Sequence, residues 1–81
     1  MVEVEYPDNF EKIWRKIDFS LQIRVKKQIE KIIENPEIGK PMMHSRKGTR
    51  EVYIPPFRLS YTYVKEEDKI IFLDLYHKDE Q

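Results

Sequence analysis

The sequence contains no cysteine, which excludes disulfides and thiolate metal sites together. Its two histidines, His44 and His77, lie far apart and have no companions at metal-ligand spacing. No metal and no cofactor is therefore expected. No apolar run approaches the roughly 20 residues that span a bilayer. The N-terminus, MVEVEYPDNF, is acidic, whereas a signal peptide is basic and then apolar. These absences predict a soluble, cytoplasmic protein with no membrane association. With 81 residues, one domain covering 1–81 with one modest core is expected. A chain this small commonly draws extra stability from disulfides, a metal or a partner, and only the partner is left.

Net charge is also absent, but the charges are segregated. Residues 1–11 hold four acids and no base, and residues 12–31 hold seven bases against two acids. Residues 40–65 carry Lys40, Arg46, Lys47, Arg50, Arg58 and Lys65 against Glu51 alone. Residues 66–81 return to acid, with six acids and two bases. Overall neutrality argues against a general nucleic-acid coat, yet leaves room for a local basic face.

Val2, Val4 and Tyr6 alternate with Glu3 and Glu5, the period of a half-buried strand that Pro7 ends. Asp8 or Asn9 is a candidate helix cap, with Glu11 three residues after Asp8 in a capping-box arrangement. Phe10, Ile13, Trp14 and Ile17 then form one apolar stripe. Asp18 to Ser20 offers a break and a new cap. A longer helix follows, with Leu21, Val25, Ile29, Ile32 and Ile33 on one face. Asn35 and Pro36 stop it, because the residue before proline is pushed out of the helical region. Residues 35–49 hold both glycines and two of the five prolines and read as a loop, with Ile38, Met42 and Met43 tucked beneath it.

Three strand-like runs complete the chain: 51–54, 57–63 and 70–76, with a polar hairpin connection at 65–69. The order β-α-α-β-β-β predicts an α+β fold. An N-terminal strand and a helical hairpin would pack on one face of an antiparallel sheet. Strand alternation sorts the side chains. Val52, Ile54, Phe57, Leu59, Tyr61, Tyr63, Ile71, Leu73 and Leu75 should face the helices. Glu51, Tyr53, Arg58, Ser60, Thr62, Phe72, Asp74, Tyr76 and Lys78 should lie on the open face. Cations beside exposed aromatics suit the stacking of unpaired bases next to phosphate contacts. The same residues also have a purely structural use: Arg58 pairing with a carboxylate such as Asp74, and Tyr53 and Tyr76 packing across strands.

The segment NPEIGKPMMHSRKGTREVYIPPFRLSYTYVKEEDKIIFLDLYHKDEQ resembles the C-terminal half of RelE/ParE-family toxins. In that family a second helix ends at "NP..GKP" and a "KG" turn leads into a strand. A "YRL.Y" strand and a hairpin follow, and the last strand ends in a basic pair. The matching residues are Asn35, Pro36, Gly39, Lys40 and Pro41, then Lys47 and Gly48, Phe57 through Tyr61, and His77 with Lys78.

The resemblance implies a RelE-like fold and the toxin of a type II toxin–antitoxin system. Its activity would be ribosome-dependent mRNA cleavage without a metal, inhibiting translation. Arg58 would stabilise the phosphate in the transition state. Lys78 would orient the phosphate or protonate the leaving oxygen. Beside these, Lys40, Arg46, Lys47, Arg50, Tyr53 and Tyr76 are the candidate RNA-binding residues read from the chain itself, the four loop cations serving otherwise as ordinary solvated charges. Its partners would be the ribosome, mRNA and an acidic, partly disordered cognate antitoxin, with which it would form a hetero-oligomer. Two alternatives stand beside this one: a ParE-like toxin that grips a protein target such as DNA gyrase, and a degenerate relative that only binds an antitoxin. Glu51 and Tyr53 stand where active nucleases often present basic residues. The chain ends at Gln81, where many relatives continue through a helix carrying a tyrosine, a part that Tyr53 or Tyr76 would have to take.

Overall fold

A computed structural model describes residues 2–80. The alternating N-terminal run forms strand β1, Glu3–Glu5, with Val2 and Val4 packed against the core. Pro7 then opens helix α1, Asp8–Lys16. The expected capping box is not formed. Asp8 lies inside the first turn, no side chain caps it, and the Glu11 N–H donates to the Pro7 carbonyl at 3.1 Å. Asp8 and Glu11 still complement the helix dipole from that turn. The second cap is formed as expected: Asp18 accepts from the Leu21 N–H at 2.7 Å and opens helix α2, Phe19–Glu34. Leu21, Val25, Ile29 and Ile32 are buried along its inner face.

Strands β2 (Lys40–Pro41), β3 (Arg50–Ile54), β4 (Phe57–Val64) and β5 (Lys69–His77) follow. The sheet order is β1-β5-β4-β3-β2. β1 runs parallel to β5 and every other pair is antiparallel, so the sheet is mixed. The two helices cover one face, α1 against β5 and α2 against β3. The α+β order is therefore as the periodicity predicts, with one strand added. β2 pairs with β3 at the edge inside the segment expected to be loop, where its two residues are too few to show a period. Ile38 and Met43 in that segment are exposed rather than tucked away.

The last strand departs from the simple alternation. Ile70, Phe72 and Leu75 are the buried residues of β5, and neither Ile71 nor Leu73 belongs to the core. A register shift explains this. Ser60 lies opposite Asp74, whereas Tyr61 lies opposite Phe72, so β5 carries one extra residue at Leu73. A bulge reverses the inside–outside phase of everything before it. Phe72, expected on the open face, is instead the centre of an aromatic cluster. It stacks on Tyr6 at 5.5 Å and meets Phe10 and Tyr61 at 5.9 and 6.0 Å. After the bulge the expected phase holds, and Asp74 and Tyr76 share a face with Arg58 and Ser60.

No helix among the described residues is long and apolar enough to cross a membrane.

Candidate functional site

The face of the sheet away from the helices carries two rows of side chains. In one, Tyr53 of β3, Arg58 of β4 and Tyr76 of β5 lie directly opposite one another. In the next, Lys40, Glu51, Ser60 and Asp74 do the same. Residues opposite each other in antiparallel strands point to the same side, so all seven share this surface.

The loop after β2 folds over it. A 3-10 turn, His44–Arg46, delivers the Arg46 guanidinium to the second row, and Thr62 ties the loop down by donating to the Gly48 carbonyl at 2.8 Å. Gly48 has φ +97°, a left-handed conformation that glycine adopts without strain. At the far end, the Lys78 N–H donates to the Pro56 carbonyl at 3.0 Å, which fixes the end of β5 against the β3–β4 turn.

Glu51 is the hub of this surface. Its side chain is 3% exposed, and Tyr76 donates its hydroxyl to Oε2. Arg46 Nη1 donates to the same oxygen at 3.1 Å and to the Tyr76 hydroxyl oxygen at 2.7 Å, with its guanidinium 5.4 Å from the ring centre. Arg58 Nη1 stands 3.9 Å from Oε1, an ion pair too long for a hydrogen bond. Both Oε1 and Arg58 Nε are buried without a hydrogen-bond partner among the described residues. Arg46, held by Tyr76 and Glu51, keeps its proton even more firmly than an ordinary arginine. The exposed Tyr53 ring lies 5.5 Å from the Arg58 guanidinium and 6.0 Å from Lys78 Nζ. Beside the hub a polar cleft is lined by Ser45, Thr49, Ser60 and Asp74.

The expected site residues divide accordingly. Arg58, Lys78, Arg46, Tyr53 and Tyr76 come together, Lys40 joins them by register, and Lys47 follows at the exposed end of the turn. Arg50 does not join them. It lies on the helix side of β3, where its Nη1 donates to the carbonyls of Glu37 and Gly39 at 2.9 and 2.8 Å. Its charge shapes the loop. His77 faces the helix side as well, opposite Phe57, with the two rings edge to face at 5.5 Å. The carboxylate partner of Arg58 is Glu51 rather than Asp74. The hub role of Glu51 is the feature that sequence reasoning missed. Its signal was present: one acid among six bases in 40–65, on the outward side of a strand.

The "NP..GKP" loop owes its shape to Tyr61. This buried side chain donates its hydroxyl to the Pro36 carbonyl at 2.8 Å and accepts from the Gly39 N–H at 2.9 Å. A Cβ on Gly39 would stand 2.7 Å from that hydroxyl oxygen, so only glycine fits.

A comparison with curated proteins gives no match. Solved structures do match. The RelBE toxin–antitoxin complex from Mycobacterium tuberculosis superposes with a TM-score of 0.84 at 19% identity, covering 95% of this chain and 98% of that one. The isolated E. coli RelE toxin gives 0.82 at 16% identity, covering 95% of this chain and 84% of that one. The intact E. coli RelBE complex gives 0.82 at 16%, over 95% and 96%. At such identities the likeness establishes the fold. The family model of the ParE toxin of type II toxin–antitoxin systems matches residues 4–81. The chain thus belongs to that family, within the RelE/ParE superfamily, and is the toxin of a toxin–antitoxin system.

Proposed function

We propose that this toxin is a ribosome-dependent mRNA endonuclease working on the open face of its sheet, in the cytoplasm and without a metal. The observation that carries the reading is the convergence of Arg58, Arg46 and Lys78 with the rings of Tyr53 and Tyr76 on one surface. The cations suit a phosphodiester, and the rings suit unpaired bases. In the reaction the ribose 2′-oxygen forms a bond to the adjacent phosphorus and the 5′-oxygen leaves, giving a cyclic phosphate. The 2′-hydroxyl proton passes to solvent. Arg58 faces the non-bridging oxygens, where charge builds. Lys78 donates to the departing oxygen, as a point charge without the bidentate fork of arginine. Preorganised donors of this kind supply a large share of such a rate. Arg46, Lys40 and Lys47 extend the basic track for neighbouring phosphates.

The partner is an acidic, partly disordered antitoxin that covers this basic surface. The structural neighbours include RelBE complexes in which a toxin is bound to its antitoxin. The experiment is a translation assay with stalled, mRNA-loaded ribosomes, comparing the protein with Arg58→Ala. Cut mRNA in the first and intact mRNA in the second supports the reading.

A second reading has its own observation. A buried carboxylate stands under the centre of the basic cluster, and a ParE-like toxin that grips a protein such as DNA gyrase needs no free phosphate clamp. Inhibition of gyrase supercoiling by the protein, with mRNA left intact, would support this alternative.

A further inference from the structure

The Glu51 side chain is almost wholly enclosed, and an isolated carboxylate there would be strongly unfavourable. Around it stand a pair of guanidinium groups and a hydroxyl. That is the arrangement in which proteins hold a phosphate. The two arginines are not held alike. Arg46 is hydrogen-bonded to Oε2 and to Tyr76, and its guanidinium lies over the Tyr76 ring. Arg58 approaches Oε1 at 3.9 Å, and among the described residues its own Nε and the Glu51 Oε1 have no hydrogen-bond partner. One arginine is anchored and the other is incompletely satisfied.

We propose that Glu51 is a resident anion which an RNA phosphate must outcompete for Arg58, so that this carboxylate sets the phosphate affinity of the face. Arg46 and Tyr76 remain on Oε2 throughout. Arg58 turns outward, and the incoming phosphate gives Nε the acceptor that Glu51 does not supply. The Tyr53 ring lies beside the Arg58 guanidinium, 5.5 Å from its centre. Glu51 is thus a tuning residue that acts through Arg58 and need not touch the substrate.

The inference rests on reading this face as a phosphate site, but its test needs no ribosome. The probe is a 2′-O-methyl oligouridine, which cannot be cleaved. Glu51→Gln keeps the shape and an acceptor for Tyr76 while removing the charge. It should bind the probe about 5- to 30-fold tighter at low salt, with the gain shrinking as salt rises. Adding Arg58→Ala should abolish the gain. Equal or weaker binding by folded Glu51→Gln would overturn the proposal, as would a gain that survives loss of Arg58.

Should Glu51→Gln not fold, the wild-type protein decides by NMR. Saturation with the oligouridine must shift the Arg58 Nε–H signal, and an unmoved signal in a bound complex overturns it. Tighter binding by Glu51→Gln without any mRNA cleavage by the wild type would sustain this inference while removing the nuclease reading.

Discussion

At the scale of single residues, two kinds of requirement are interleaved along the same short motifs. Gly39 and Tyr61 serve the loop, whereas Glu51 and Arg58 serve the open face, although Tyr61 and Arg58 belong to one strand. The loop pair makes a sharp prediction. Gly39→Ala forces a methyl group to 2.7 Å from the Tyr61 hydroxyl, which packing costs place at about 1–3 kcal/mol of stability. Tyr61→Phe leaves the Pro36 carbonyl and the Gly39 N–H without their partner and should lose about 1–3 kcal/mol. Urea unfolding of each variant measures both. If either variant unfolds at the wild-type midpoint, the hydroxyl does not hold the loop.

Lys78 should matter less than Arg58 in any phosphate-dependent readout, because its contact with the cluster is a distant one, 6.0 Å over the Tyr53 ring. Single-turnover cleavage by Lys78→Ala should therefore fall less than cleavage by Arg58→Ala. The reverse order would exchange their assigned roles.

At the scale of elements, the informative case is β5. Phe72 and Ile71 are neighbours, and simple alternation exchanges their faces. Phe72→Ala should destabilise the protein by about 3–5 kcal/mol, as expected for deletion of a buried aromatic ring. Ile71→Ala, outside the core, should cost far less. Thermal unfolding of the two variants checks the bulge directly, and similar losses for both would contradict it.

The same strand shows what the sequence can carry. The helices were legible because five apolar positions on α2 repeat at one period, and β4 because its alternation runs unbroken from Phe57 to Tyr63. A bulge leaves no mark of its own in an apolar run such as Ile70 to Leu73. Its evidence is the partner's register, which lies elsewhere in the chain. Lys40 and Pro41 are equally silent, since two residues cannot display a period. At the site, the residue types of the cluster were legible, and the helix-side face of Arg50 follows from the alternation of Val52 and Ile54 once β3 is extended back to Arg50. The pairing of Glu51 was not legible, because it depends on where the 3-10 turn carries Arg46.

At the scale of the whole molecule, several shifted protons act together. Burial holds the Tyr6 and Tyr61 hydroxyl protons beyond the ordinary tyrosine value. Tyr63 is shifted the same way by its hydrogen bond to Asp68, and Lys69 by its hydrogen bond to Glu5. In each case the folded chain keeps a proton that the unfolded chain releases first. Their contribution is therefore fully present below about pH 10 and declines as pH rises further. Stability should be insensitive to these groups near neutrality and fall on the alkaline side. Urea titrations from pH 8 to 11 would show this, and a midpoint that rises above pH 10 would contradict it.

The charge distribution extends the same reasoning to function. The zero net charge of the chain conceals a basic open face that an acidic antitoxin would cover and an RNA would enter. The most direct measurement is mRNA integrity on stalled ribosomes after addition of the purified toxin, with Arg58→Ala beside it. The account predicts cut message with the wild type and a rate about 10²- to 10³-fold lower with Arg58→Ala. Intact message with folded wild-type protein, or equal cutting by both, would contradict it.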